Sequence, residues 1–259
     1  MQDIFETKHT PKGYSKEEWE ARVQLALCYR LIDHYGWTAQ VYNHITYRIA
    51  NTEHLLINAF GLMYHEIKPS NLVKIDLDGN VLDDSPYPVN KAGLNIHTAI
   101  HKARKDLSCV LHTHDLDAIA VSCLEGGFMP LEQQGYMFYE RTAYHKFEGI
   151  VLDESEKARL IASLGDKNHT LFLHNHGIIT AGHSIEWAFV RMYHLIRACQ
   201  VQLKVLSTGG KIIQADKEVI RHTREQFEGG AAQAGAVVQL PEWPAYYRLI
   251  TQKDPSWCS

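Results

Sequence analysis

Hydrophobic residues recur at helical spacing in several segments of the chain. The clearest helix begins after Ser15, which forms a capping box with Glu18, and it ends near Gly36. A second long helix is expected to begin after Ser184 and to run to about Leu206. Shorter helices are predicted over four further segments, at residues 91–105, 115–124, 154–164 and 216–228.

Short apolar runs between these helices predict strands, and Asp78-Gly79 is typical of a hairpin turn. The alternation of strands and helices, without a repeat or a linker, favours one α/β domain over residues 1–259. The first 14 residues are expected to be extended. The aromatic tail from Pro241 onward is expected either to pack on a neighbour or to be loose. The predicted strands lie at residues 44–48, 54–58, 73–77, 81–82, 108–114 and 170–173.

Composition excludes few classes of protein but narrows the setting. The net charge of -4 argues against a nucleic-acid partner, because binding to phosphates normally needs a basic face. No apolar run is long enough to cross a membrane, and the first residues do not have the pattern of a signal peptide. The five cysteines are irregularly spaced and form no CxxC motif, so we expect reduced thiols and a cytoplasmic location.

Histidine is the unusual residue, with 16 copies in 259 positions. His112 and His114 lie two apart in an apolar run, so on a strand their side chains point to the same face, with Cα atoms about 7 Å apart. A second pair, His174 and His176, leaves the strand at 170–173. Neutral imidazoles in such an arrangement suit zinc and related metals. The alternative is a set of buried histidines whose nitrogens are satisfied by backbone hydrogen bonds.

A third pair, His97 and His101, has the i, i+4 spacing of a helix face, which is also compatible with a metal. No apolar strand positions this pair. We therefore favour a packing or solvated role for it over a role in metal binding.

Three of these segments resemble the class II aldolase and adducin family. They are Asn95-Ile-His-Thr-Ala-Ile100, Cys109-Val-Leu-His-Thr-His114 and Leu171-Phe-Leu-His-Asn-His-Gly-Ile178. The resemblance runs from about residue 20 to about residue 210, which leaves 211–259 as a C-terminal helix and tail. It is closest to the adducin branch, through residues 149–157 and 196–202. The family includes sugar-phosphate aldolases, an epimerase, a dehydratase and the head domain of the cytoskeletal protein adducin.

The resemblance implies a fold and a metal. The fold is a three-layer α/β (α+β) domain in which helices cover a central, mainly antiparallel sheet. By analogy with the enzymes, His112, His114 and His176 would bind Zn²⁺ or another divalent ion such as Fe²⁺, Mn²⁺ or Co²⁺. His174 would then be a neighbour that supports these ligands. Many members form four-fold rings, so a homo-oligomer, and specifically a tetramer, is expected.

The sequence departs from the family's enzymes around the substrate. The family's catalytic glutamate lies four residues before the histidine that matches His97, and Gly93 stands there. A serine pair for the substrate phosphate is replaced by Lys91 and Ala92. The substrate-pocket positions that carry over are Asn43, Gly61, Lys91 and Gly93, with Phe60 in place of a threonine beside Gly61.

Two functions are compatible with this pattern. The first is a metal-dependent lyase that performs aldol cleavage, decarboxylation or dehydration on a small oxygenated acid or sugar. Its proton carrier would have to be replaced. The candidates on loops after the HxH strand are Glu132, Glu140, Asp115 and Tyr136, of which Glu132 and Tyr136 are favoured. The second is a non-catalytic, adducin-like binding or assembly module with a vestigial metal site. Iron-based redox chemistry at the same histidines is a third reading, and nothing in the sequence selects it.

Overall fold

The computed structural model describes residues 10–149, 154–232 and 240–258. Residues 1–9 of the expected N-terminal arm, and 150–153 within the adducin-like segment, lie outside the described residues. One seven-stranded sheet has the order β3-β2-β1-β4-β7-β6-β5, and all neighbouring strands are antiparallel except the parallel pair β5 and β6. The strands are β1 His44–Arg48, β2 Leu55–Ile57, β3 Val73–Ile75, β4 Cys109–Thr113, β5 Thr142–His145, β6 Thr170–Leu173 and β7 Gly177–Gly182.

Helices and short 3-10 turns connect and cover these strands. The α-helices are α1 Lys16–His34, α2 Lys91–Ala103, α3 Leu116–Ser122, α4 Glu154–Leu164, α5 Ile185–Ser207, α6 Lys217–Ala232 and α7 Glu242–Lys253. The 3-10 turns lie at Tyr64–Glu66, Pro69–Asn71 and Gly135–Phe138.

The predicted helix starts are confirmed by their caps. The Ser15 hydroxyl accepts the Glu18 amide at 3.1 Å, and the Ser184 hydroxyl accepts the Trp187 amide at 3.4 Å. These bonds satisfy amides that the first turn of a helix leaves unpaired. Helix α2 is capped by Asn90, which the sequence did not single out.

Alternation along the strands sends side chains to two cores, one on each face of the sheet. Cys109 and Leu111 of β4 face the core formed with α1, α5 and α7. Val110 of the same strand faces the core formed with α2 and α4. His112 follows this alternation and therefore lies on the α2 side. The expected three-layer α/β domain, a mainly antiparallel sheet between helices, is confirmed.

Strand β7 is the long strand that the sequence did not predict. Its segment, Gly177–Gly182, is buried at every position, so it lacks the alternation that identifies a half-exposed strand. The predicted strand at 81–82 is wrong, since it is reduced to an isolated bridge between Ile75 and Val81.

The alternative of a loose aromatic tail is wrong, and packing of the tail on a neighbour stays a prediction. Residues Glu242–Lys253 form α7, and the buried side chains of the tail pack into the core of this chain. The side chains of Trp243 and Trp257 are completely buried, and the Trp243 indole donates a hydrogen bond to Gln24 of α1. The tail therefore neither hangs loose nor needs a neighbouring subunit to cover these rings. Among the described helices, none is both long and apolar enough to cross a membrane.

Candidate metal centre

Three histidine side chains converge where β4 ends and the β6–β7 turn passes beside it. The Nε2 atoms of His112 and His114 lie 2.9 Å apart, and one ring nitrogen from each of His112, His114 and His176 lies within 4.8 Å of the others. His176 reaches this position because Asn175 takes the left-handed conformation, with φ of 58°. The predicted trio is thus brought together by two separate segments of the sheet.

Gly177 explains why a glycine follows the third histidine. A Cβ atom at this position would lie 2.5 Å from the Thr113 carbonyl oxygen and 3.0 Å from Cδ2 of His114. Both distances are shorter than normal contacts, so a side chain would push β7 away from β4. Glycine therefore allows the close approach of the two segments that carry the histidines.

The ring nitrogens have the chemistry that a borderline divalent ion requires. Nδ1 of His112 lies 2.9 Å from the Ile178 carbonyl oxygen, which can only accept, so this nitrogen carries the proton and Nε2 keeps its lone pair. Burial lowers the pKa of His112 well below its usual range and lowers the pKa of His114 to about 4. Burial also lowers the pKa of His176. The three imidazoles are therefore neutral near pH 7, and neutral imidazole is the form that binds metals.

A cavity of about 330 Å³ opens directly onto the three histidines. Its size is in the range of small-molecule sites. The remaining wall is formed by residues from β1, the loops around Phe60 and Phe147, and the first turns of α2. These residues are Tyr42, Asn43, His44, Phe60, Asn90, Ala92, Ile96, Phe147 and Gly149.

His44 occupies the space above Gly93. A Cβ atom built on Gly93 would lie 2.3 Å from Cδ2 and 2.6 Å from Nε2 of His44. His44 pairs directly opposite His112 in the sheet, and the two rings lie 5.0 Å apart between centroids. The position at which the sequence lacks the family's glutamate side chain is therefore filled by an imidazole from β1.

His44 continues into a buried chain of polar groups under α2. Its Nδ1 lies 2.7 Å from Nε2 of His97, whose Nδ1 lies 2.7 Å from the Thr46 hydroxyl. The same hydroxyl lies 2.8 Å from Nε2 of His101. His97 and His101 are fully buried, so the packing role predicted for this pair is confirmed and the solvated one is wrong. Burial lowers the pKa of His44 and His97 strongly and that of His101 to about 3.

The predicted substrate-pocket positions differ in their distance from the histidines. Asn43 lines the cavity; its amide nitrogen donates to the Trp37 carbonyl, and its Oδ1 is buried without a hydrogen-bond partner among the described residues. Gly61 and Lys91 are exposed, and neither lines the cavity, although their neighbours Phe60, Asn90 and Ala92 do. Gly61 has a φ of 102°, which explains the glycine at this turn.

The favoured candidates for the proton carrier, Glu132 and Tyr136, lie outside the cavity wall. The Glu132 carboxylate accepts the backbone amides of Gln134 and Gly135 at 2.8 and 2.6 Å, and Tyr136 lies in the 3-10 turn that comes next. Neither lines the cavity. The His174 ring stacks on Tyr144 and its Nδ1 donates to the Ser122 carbonyl, so it fastens the β6–β7 turn.

Sequence reasoning missed His44. The available signal was the pair His44 and Thr46, which begins a strand with polar side chains on one face. Only the register of β1 against β4 shows that this face is the one that carries His112.

Known proteins share this architecture. The model of the class II aldolase and adducin N-terminal domain matches residues 23–203. The solved structure of an aldolase II superfamily protein from Pseudomonas syringae is 41% identical, with a TM-score of 0.85, over 94% of this chain and 97% of that one. L-fuculose 1-phosphate aldolase from Glaciozyma antarctica is 25% identical, with a TM-score of 0.78, over 96% and 97% of the two chains.

The adducin branch is represented as well. Rat α-adducin is 40% identical over 201 residues, which are 76% of this chain and 27% of α-adducin. The match to the family model covers most of the chain, and the two solved relatives share its fold over nearly their full length. The chain therefore belongs to the class II aldolase and adducin family.

Proposed function

We propose that the protein is a metal-dependent lyase for a small oxygenated acid or sugar, acting by aldol cleavage, decarboxylation or dehydration. The convergence of three neutral imidazoles on an open cavity carries this proposal. His112, His114 and His176 would hold the ion, with Zn²⁺ as the first choice. A zinc ion held by three protein ligands keeps a coordination position open, and as a Lewis acid it stabilises negative charge on a substrate oxygen.

His44 is proposed to be the residue that handles protons in place of the family's glutamate. Its Nδ1 is engaged by His97, so Nε2 is the nitrogen left for a molecule in the cavity. The Thr46 hydroxyl can donate its hydrogen either to His97 or to His101. The hydrogen bonds from Thr46 through His97 to His44 can therefore all run in one direction or all in the other. In one direction His44 Nε2 carries a hydrogen and donates, and in the other it offers a lone pair and accepts. The buried chain thus orients His44 for either role.

Asn43 is proposed to orient the substrate. Its Oδ1 is buried at the cavity wall without a partner in the described part of the protein, and such an atom costs free energy unless something donates to it. A substrate hydroxyl would supply that donor.

The first experiment measures metal content and then activity. The purified protein, with and without a chelator, is offered a panel of small hydroxy acids and unphosphorylated sugars. Metal near one equivalent per chain together with chelator-sensitive turnover is the expected result. A metal-free protein, or turnover that a chelator does not affect, contradicts the proposal.

A rescue experiment then tests His44 with the substrate so found. His44→Ala should lower kcat by about 10²–10⁴-fold, as loss of a general acid or base usually does. His44→Ala combined with Gly93→Glu places a carboxyl where the family has one and removes the ring that blocks it, so part of the activity should return. No recovery, with metal still bound, argues against His44 as the replacement.

The second candidate is an adducin-like assembly module, favoured by the 40% identity to α-adducin. A protein of this kind would assemble with partners whether or not the histidines bind a metal. It is distinguished by an absence of turnover in the metal-loaded protein, together with an oligomeric state that does not change when the metal is removed. The open cavity and the orphan oxygen of Asn43 favour the lyase.

A further inference from the structure

The wall of the metal cavity is mostly apolar. Away from the histidines, Phe60, Ile96 and Phe147 supply carbon surface, with Tyr42 beside Phe60 at a centroid distance of 6.2 Å. Tyr42 is 52% exposed and Phe147 is 56% exposed. Exposed apolar groups that gather around a cleft commonly mark a site for an apolar ligand.

Among the described residues, the same wall offers a phosphate no cationic side chain. None of the described residues that form it is a lysine or an arginine. A helix N-terminus can bind an anion through free amides, but the Ala92 amide at the start of α2 donates to the Asn90 side chain at 3.1 Å. The amide of Phe60, in the turn where the family has a threonine, donates to the Pro88 carbonyl at 2.9 Å. Two backbone donors beside the cavity are therefore already used within the protein.

We propose that this cavity takes a small, unphosphorylated molecule. One end has two oxygen atoms carried by neighbouring atoms, and the other end is an aromatic or branched aliphatic group. The inference rests on the proposed metal-dependent function and names the class of its substrate. The two oxygens match an open divalent ion at the histidines, with Asn43 and His44 at hand for hydrogen bonds. The apolar end lies between Phe60 and Phe147.

The test compares three hydroxamates, which chelate zinc through the carbonyl oxygen and the oxygen on the neighbouring nitrogen. They differ only in the group attached to the hydroxamate. Acetohydroxamate has a methyl group, benzohydroxamate a phenyl ring, and phosphoglycolohydroxamate a charged phosphate. Binding to the zinc-loaded protein is measured by calorimetry, with the His176→Ala variant as the baseline without a site. Benzohydroxamate should bind about 10–100-fold more tightly than acetohydroxamate, the gain expected from burying most of a ring. Phosphoglycolohydroxamate should bind no more tightly than acetohydroxamate.

Variants of the cavity wall show which side chain produces the preference for the phenyl ring. Phe147→Ala should remove much of the preference, so that benzohydroxamate and acetohydroxamate bind with similar affinity, and Phe147→Leu should retain part of the preference. Because Phe147 is largely exposed, its replacement should not disturb folding. The control is Leu206→Ala, which removes an exposed apolar side chain at the end of α5 and should change nothing.

The outcomes distinguish a failure of the proposed substrate class from a failure of the proposed metal-dependent function. Equal affinity for the methyl and phenyl probes overturns the inference and leaves the metal site standing. Tightest binding of the phosphate probe overturns it in favour of a sugar-phosphate site. Failure of all three probes to bind a zinc-loaded protein overturns the proposed open metal site itself. If Phe147→Ala changes the mass in light scattering and not the preference, the exposed rings form a subunit contact and the inference is wrong.

Discussion

Replacing Gly93 with alanine should destabilise the protein, although the same change in the middle of a helix is normally favourable. Alanine stabilises a helix by about 1 kcal/mol relative to glycine. Here the added Cβ would lie 2.3 Å from Cδ2 of His44, a buried ring whose Nδ1 lies 2.7 Å from Nε2 of His97. A contact this short forces either the His44 ring or the α2 backbone to move.

The expected change in the free energy of unfolding caused by Gly93→Ala combines three contributions. Overfilling a packed site costs about 1–3 kcal/mol. The lost hydrogen bond between His44 and His97 costs about 0.5–1.5 kcal/mol. Subtracting the helix gain of about 1 kcal/mol leaves a net loss of about 0.5–3.5 kcal/mol in the free energy of unfolding. In a His44→Ala background the ring is gone, so Gly93→Ala should become stabilising by up to about 1 kcal/mol.

The assay is urea unfolding followed by circular dichroism, with a chelator present and at one protein concentration, since assembly links stability to concentration. The matched control is Gly229→Ala in α6, where an added Cβ meets nothing within 4 Å among the described residues. That variant should be slightly more stable than the wild type. If Gly93→Ala behaves like Gly229→Ala, or keeps its sign in the His44→Ala background, then His44 does not fill this space.

Four further predictions concern the metal, acid, substrate and assembly. His176→Ala should lose most bound zinc by elemental analysis, whereas His222→Ala should keep it. The folded protein should lose stability as the pH falls from about 6.5 toward 3: the pKa of His101 is about 3 in the folded chain and about 6.5 unfolded, so acid favours the unfolded state. A flat profile in urea titrations between pH 7 and 4 would contradict this. Zinc-loaded protein should cleave fuculose 1-phosphate and rhamnulose 1-phosphate at a kcat/KM far below about 10⁴ M⁻¹s⁻¹, because Phe60, Lys91 and Ala92 replace the family's phosphate-binding threonine and serines. Light scattering should give the mass of a tetramer, and a monomer at micromolar concentration would refute that assignment.

Local patterns were sufficient to predict most elements of the fold. Serine caps and helical spacing located α1 and α5, because capping and amphipathic packing are both local in sequence. Strand alternation put His112 and His114 on one face, and the 2.9 Å between their Nε2 atoms agrees with it. Strand β7 was missed because a strand buried on both faces has no period of two to detect.

The identity of the metal trio could be predicted from motifs, but its surroundings depended on tertiary structure. From the sequence of α2 alone, Gly93 indicates only that a functional side chain has been lost. The register of β1 against β4 brings His44, from 49 residues earlier in the chain, over that glycine. Register depends on how whole strands pair across the sheet, and no spacing within β1 or α2 encodes it. The same pairing also decides the surroundings of His97 and His101. It places His44 and Thr46 beneath α2, where they form hydrogen bonds with these two histidines.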